Sequence, residues 1–342
     1  MKKRKNKLGI TIGDFNGIGA EIIIKTFKDN RMIDFCTPII FSSGKIISFY
    51  RKLLKYHDFN FNIINAIKDA HPKKINLLNI SNEDINFNLG ERSDNSGKHA
   101  YKSIMKACEA LKADEINSLI TAPINKLTIK NYKKDFIGHT ELLGKEFEGA
   151  PLMMMVSDIM KITFITGHIP ISKLKSAITI KNIVTKTKIF NSSLKYDFNV
   201  LKPKIAILGL NPHAGENGML GEEEDKFISP AIKELQKLDI LAYGPFPADS
   251  FFSDKNLSFF DGIIAMYHDQ GLIPFKTTSF TNGVNFTAGL NIIRTSPVHG
   301  TAYEIAGKGI ANENSFRQAV FLACDIYKNR SLNLAKKQKV TI

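Results

Sequence analysis

The chain has 342 residues, 43% of them apolar and 23% charged, with a formal net charge of +14. That composition suits a folded globular protein long enough for two domains and excludes a disordered chain. No apolar run is long enough to cross a bilayer, no signal-peptide core follows the basic start, and the positive excess (40 lysines against 7 arginines) is scattered without a nucleic-acid motif.

No nucleic-acid or membrane partner is therefore expected, although the charge favours anionic small molecules. Cys36, Cys108 and Cys324 have neither metal nor redox spacing and read as reduced thiols of a cytoplasmic protein.

Leu8-Gly-Ile-Thr-Ile reads as the first strand. The Gly13-Asp-Phe-Asn-Gly-Ile-Gly19 run after it has the look of a phosphate loop. It lacks Rossmann spacing and the Walker lysine, so it is expected to be a tight strand-to-helix turn. Strands are also predicted at Pro38-Ile-Ile-Phe-Ser-Ser and Ser118-Leu-Ile-Thr-Ala-Pro, with an amphipathic helix over Ala100–Leu111 between them. Residues 60–88, rich in Asn, Ile and Lys, carry the least pattern. Gly138-His-Thr-Glu141 opens a helix expected at Glu141. His139 and Thr140 would then lie near an anion-binding helix N-terminus, with Thr140 as a simple cap the plainer reading.

Three apolar runs each end on a histidine: Lys161–His168, Lys204–His213 and Gly262–His268. Each reads as a short buried strand followed at once by a turn. In open α/β sheets, ligands collect beyond the carboxyl ends of the strands. Three imidazoles delivered there can share one divalent metal and leave a position open for substrate.

After His213, the acids Glu222 to Asp225 read as residues favouring the N-terminus of a helix over Ile228–Leu238. Asp249 sits in a loop stiffened by two prolines, Gly244-Pro-Phe-Pro-Ala-Asp. It either caps a helix beginning at Ser250 or does chemistry. Asp269 follows His268 directly. Either carboxylate can orient an imidazole or accept a proton. Lys276, Asn285, Arg294 and His299 crowd the next segment. Arg294 is the only arginine between Arg92 and Arg317, in a chain that otherwise uses lysine, which points to bidentate anion recognition. The alternation of strands and helices argues for an α/β fold with a mostly parallel sheet.

These motifs together resemble the 4-hydroxythreonine-4-phosphate dehydrogenase (PdxA) family over most of the chain. The carriers are Gly13-Asp-x-x-Gly-Ile-Gly, Thr121-Ala-Pro-Ile-Asn-Lys126, Gly138-His-Thr-Glu, Thr166-Gly-His, Asn211-Pro-His-Ala-Gly-Glu, Gly244-Pro-x-Pro-Ala-Asp, Tyr267-His-Asp-Gln-Gly and the Arg294 segment. The histidine separations of 45 and 55 residues also agree with the family.

The resemblance implies two α/β/α domains like those of isocitrate and isopropylmalate dehydrogenases, with the active site in the interdomain cleft. One domain would comprise residues 1–137, completed by 298–342, and the other residues 138–297. His168, His213 and His268 would bind the metal (zinc, cobalt, magnesium or manganese). His139, Thr140, Lys276, Asn285 and Arg294 would contact a phosphorylated substrate. Ser296–Asn312 is similar to an adenosine-binding loop, which would set NAD or NADP against His299, Gly300 and Ala302. Family members are homodimers whose site draws on both chains. The implied reaction oxidises C3 of 4-phosphooxy-L-threonine, with Asp249, Asp269 or Lys126 as the base. A paralogue acting on a sugar-acid phosphate such as D-threonate 4-phosphate is the near alternative. Acyl or phosphoryl transfer on a related fold, and metal or phosphate binding without turnover, are more distant ones. The chain departs from the family at Phe15 and Ala20, where prolines are usual, and at Asn16, where a small residue is usual.

Overall fold

The computed structural model describes residues 5–340, with side chains to Ala335. The chain divides into two compact units. The first runs to Glu148 and resumes over Leu290–Lys328; the second comprises Gly149–Gly289 and the chain from Asn329 onward.

The first unit is built on strands β1 (Asn6–Thr11), β2 (Cys36–Ser42), β3 (Asn62–Ile64), β4 (Asn76–Asn79), β5 (Ser118–Thr121) and β12 (Arg294–Pro297), in the order β3-β4-β2-β1-β5-β12. The pairings β1/β2, β1/β5, β5/β12, β2/β4 and β3/β4 are all parallel. In register, Ile10 lies between Ile40 and Ile120. Strand β2 is buried along its whole length. Burial on both faces is why it and β5 read as continuous apolar runs rather than alternating ones.

The helix predicted over Ala100–Leu111 spans Asp94–Lys112. It starts earlier because the Ser93 side chain accepts from Ser96 N, a cap that the apolar spacing does not reveal. Its inner face, Ala100, Ile104, Ala107, Cys108 and Leu111, packs with Ile39, Phe41 and Leu119 of the sheet.

The second unit holds β6 (Gly149–Val156), β7 (Lys161–Phe164), β8 (Lys204–Leu208), β9 (Leu241–Phe246), β10 (Gly262–Ala265) and β11 (Val284–Leu290), in the order β11-β6-β7-β10-β8-β9. The pairings β7/β10, β10/β8 and β8/β9 are parallel, and β6 pairs antiparallel with β7. The helix expected over Ile228–Leu238 covers Ser229–Lys237 and is preceded by a π-helical stretch, Glu224–Ile228.

The expected domain boundaries at 137/138 and 297/298 differ from the observed divisions. The helix His139–Glu146 stays with the first unit because its Leu143 joins the cluster of Ile104, Ala107 and Cys108. Arg294 stays there because β12 pairs with β5, Arg294 opposite Leu119. The three cysteines are free thiols. Among the described residues no helix is long and apolar enough to cross a membrane.

Candidate active site

In the second unit, β7, β10 and β8 are neighbours in one parallel array, so all three histidine runs leave the sheet at the same end. The exits are tied together. Thr166 donates through its N–H (3.1 Å) and its hydroxyl (2.8 Å) to Met266 O. Gln270 accepts from Met266 N at 2.7 Å and donates to Gly209 O at 2.7 Å, bracing the end of β10 against that of β8.

This brings the His168 and His268 rings to 5.3 Å between centroids, inclined at 45°. His268 Nδ1 lies 2.6 Å from Asp269 Oδ1. A carboxylate on Nδ1 fixes the tautomer and leaves the Nε2 lone pair for a ligand. Among the described residues, however, no three His, Cys, Asp or Glu side chains gather as one ion would require.

His213 opens a turn in which five successive residues, His213, Ala214, Gly215, Glu216 and Asn217, all have positive φ (42° to 82°). Non-glycine residues enter that region at a cost of roughly 1–2 kcal/mol each, so the surroundings must enforce it. Glu224 does so. Its buried Oε1 accepts from Leu210 N (2.7 Å) and Asn211 N (2.8 Å), and its Oε2 accepts from Asn211 Nδ2 (2.9 Å). Glu223 accepts from Asn211 Nδ2 at 2.8 Å and pairs with Lys175 at 3.3 Å. These acids therefore do more than favour the next helix: two of them build the turn that carries His213.

Asp249 lies exposed in the first turn of the short helix Ala248–Phe251, which begins before the expected Ser250. Lys276 is half-buried on the helix His268–Ser279, two turns beyond His268. Asn285, on β11, has a buried Oδ1 without a hydrogen-bond partner.

The first unit holds the other candidates. Arg294 is 3% exposed and donates from Nε (3.0 Å) and Nη2 (2.6 Å) to the hydroxyl of Thr121, at the end of β5. Burial lowers its pKa to about 10, partly offset by Glu141, so it remains cationic at neutral pH. The helix His139–Glu146 starts two residues earlier than expected, on His139 itself. The His139 Nε2 is buried without a partner. Burial, then the charges of Arg294 and Lys126, holds this imidazole well below its ordinary pKa, and hence neutral. Thr140, the next residue, is half-buried. Asn125 caps the helix Lys126–Tyr132 by accepting from Leu127 N and Thr128 N, which sets Lys126 at the helix start. A Cβ on Gly138 would stand 2.7 Å from Glu141 Oε2 and 3.5 Å from Lys126 Nζ. Two cations and the single carboxylate of Glu141 surround a neutral imidazole with an unpaired nitrogen, which leaves the cluster net positive and able to attract an anion.

Beyond β12, His299 Nδ1 lies 3.2 Å from Gly300 O, its Nε2 is buried without a partner, and burial lowers its pKa. A Cβ on Gly300 would meet nothing within 4 Å, and Ala302 is left-handed at φ 45°. A buried nitrogen without a protein partner beside an open glycine suits a ligand-contacting loop.

Thr121, Glu224, Asp14 and Tyr303 support the candidate residues through hydrogen bonds to which the sequence reading gave no role. The Tyr303 hydroxyl donates to Asp14 Oδ2 at 2.7 Å. Thr121 was signalled by its place at the end of an apolar run, before Ala122-Pro123, Asp14 by the glycine turn and Glu224 by its acidic run; Tyr303 carries no local signal.

The family model for Pyridoxal phosphate biosynthetic protein PdxA matches residues 34–323. The chain belongs to the PdxA family. It is 42% identical over 339 residues to a 4-hydroxythreonine-4-phosphate dehydrogenase of Bacteroides thetaiotaomicron, a match covering 98% of this chain and 93% of the relative. It is 35% identical to a putative D-threonate 4-phosphate dehydrogenase of Clostridium botulinum, covering 94% and 97%. Among solved structures, a 4-hydroxythreonine-4-phosphate dehydrogenase from Klebsiella pneumoniae superposes with a TM-score of 0.82 at 30% identity, covering 96% of this chain and 99% of that one. PdxA-family membership makes the chain an enzyme of the oxidoreductase class, with an α/β fold and a mostly parallel sheet.

Proposed function

We propose that this PdxA-family enzyme oxidises 4-phosphooxy-L-threonine at C3, with NAD or NADP as hydride acceptor and a divalent metal as aid. The product is 2-amino-3-oxo-4-(phosphooxy)butanoate, which decarboxylates to 3-amino-2-oxopropyl phosphate on the way to pyridoxine 5'-phosphate. The observation that carries the reading is the His168–His268 pair at the ends of adjacent parallel strands, with Asp269 on His268 Nδ1.

The donor set fits a metal. Two imidazoles suit zinc, cobalt or manganese better than magnesium. His213 leaves the same end of the array. A ligand set of His168, His213 and His268 drawn from both chains of a homodimer accounts for the lack of a three-donor group among the described residues of one chain. When bound, the metal supplies Lewis-acid polarisation at C3 and the nicotinamide supplies the redox step. His299, Gly300 and Ala302 form the cofactor contact, where the unpaired Nε2 of His299 and the space over Gly300 support a ligand.

The chain's own work is placement and proton handling. Arg294, Lys276, His139, Thr140 and Asn285 take the substrate's anionic and polar groups. Arg294 and Lys276 bring positive charge; His139 Nε2 and Asn285 Oδ1 offer buried polar atoms without other partners. The C3 hydroxyl proton goes to one of Asp249, Asp269 and Lys126. Asp269 is already engaged with His268 Nδ1, which suits it to orienting that ring. The reading places the enzyme in the cytoplasm as a homodimer.

The 35% identity to a putative D-threonate 4-phosphate dehydrogenase keeps that sugar-acid phosphate as a second reading. One assay separates them: NAD(P) reduction followed with each substrate at equal concentration, before and after chelation, with metals restored singly. Chelator-sensitive turnover of 4-phosphooxy-L-threonine in excess is expected. A preference for D-threonate 4-phosphate transfers the proposal to the second substrate, and turnover indifferent to chelation ends the metal reading.

A further inference from the structure

The turn Gly13–Gly19 resembles a phosphate loop, but four of its N–H groups are already used. Asp14 N donates to Pro123 O (2.8 Å), Asn16 N to Asp14 Oδ1 (2.9 Å), Gly17 N to Asp14 O (3.1 Å) and Ile18 N to Thr301 O (3.0 Å). A turn with four of its donors ending on protein has few left to cradle an anion.

Those contacts, with the helix Gly19–Phe27 that follows, attach the segment 299–312 of the same unit at three levels. At the first, the Tyr303 hydroxyl donates to Asp14 Oδ2 at 2.7 Å. At the second, Ile18 N holds Thr301 O, and a Cβ on Gly17 would stand 2.7 Å from that same oxygen, so the close approach requires glycine. At the third, Lys25 Nζ donates to Gly309 O (2.8 Å) and Ala311 O (2.7 Å), while Ala311 N donates to Glu21 Oε1 (2.8 Å). Glu21 and Lys25 pair at 2.9 Å.

The support is itself anchored. The Tyr50 hydroxyl lies 2.8 Å from both Phe15 O and Gly17 O, and Asn16 Nδ2 donates to Ser93 Oγ at 3.1 Å. Asp14 and Glu21 are fully buried, and burying two carboxyls this way is costly unless their bonds do something in return.

We propose that Asp14, Glu21 and Lys25 are positioning residues, which hold the 299–312 loop in the shape that receives the nicotinamide dinucleotide. This rests on the reading of His299, Gly300 and Ala302 as cofactor contacts. The three residues act through the loop. A loop ordered beforehand loses less freedom when its ligand arrives, so the gain appears as affinity for the cofactor.

The test uses the full-length, metal-loaded enzyme. Two variants remove attachments from below: Lys25→Met deletes both carbonyl contacts, and Tyr303→Phe deletes only the hydroxyl. Cofactor dissociation constants are measured directly by calorimetry with NAD and NADP, and hydrogen exchange of 299–312 is followed without cofactor. Each variant is expected to weaken cofactor binding by about fivefold to tenfold and to speed exchange in the loop. Lys25→Arg, which keeps the donors, should restore much of the affinity, and the KM for cofactor should rise far more than kcat falls. His299→Ala serves as the separate check on the underlying reading. If His299→Ala weakens cofactor binding while Lys25→Met and Tyr303→Phe bind and exchange like the parent, the positioning role is overturned and the cofactor site stands. If His299→Ala also binds like the parent, the cofactor reading falls and this inference with it.

Discussion

Asp269 Oδ1 stands 2.6 Å from Nδ1 of its neighbour His268, whose ring lies 5.3 Å from that of His168. The carboxylate sets which nitrogen of His268 faces outward. Asp269→Asn is therefore expected to lower metal affinity about tenfold to a hundredfold, the range typical of such partners. Competition with a chelator of known affinity measures it. Affinity equal to that of the parent would show that the contact orients nothing.

Glu224 should behave as the keystone of the His213 turn. It accepts three hydrogen bonds and is buried, so Glu224→Ala leaves three donors unsatisfied. A loss of about 2–4 kcal/mol of stability is expected, read by urea denaturation. Hydrogen exchange should accelerate first within 210–218.

Arg294→Lys keeps a positive charge but cannot send two nitrogens to the Thr121 hydroxyl. The KM for the phosphorylated substrate is expected to rise about tenfold or more, because an ammonium does not reproduce the planar fork. A Lys variant with unchanged KM would remove Arg294 from the substrate site.

Acid should destabilise the metal-free protein. Burial depresses the pKa of His99, His139 and His299 below the ordinary value of 6.5. The unfolded chain then binds more protons than the folded one between the two values, so stability rises with pH there and falls on acidification below about 6.5. Each such group contributes at most about 1.4 kcal/mol per pH unit within its window. His99 is fully buried with neither ring nitrogen hydrogen-bonded, and it packs edge-on to Phe15 at 5.6 Å. His99→Phe keeps the ring and removes the titration. Thermal melts from pH 7.5 to 5 should show a shallower decline in that variant, and an identical slope would exclude His99 from the effect.

The strands were legible because burial on both faces writes itself as an unbroken apolar run, as in Gly262–Ala265 and Lys204–Leu208. The common exit of the three histidines followed from that pattern together with strand direction. Long-range contacts were not legible. Nothing near Arg294 announces its pairing with Leu119. The acids before Ser229 satisfied a local rule for helix starts, which hid the bonds from Glu224 to residues 210 and 211. The left-handed path through His213 and Ala214 runs against their own preferences and arises only from tertiary contacts.

The Phe15 ring is buried against Phe87 at 5.7 Å as well as against His99. Phe87 in turn stacks on Phe49 at 3.8 Å. Replacing Phe15 alone with proline would open a void that this aromatic company cannot collapse to fill. The cluster thus behaves as a block: a smaller residue at position 15 should be tolerated only if positions 49, 87 and 99 are exchanged together with it.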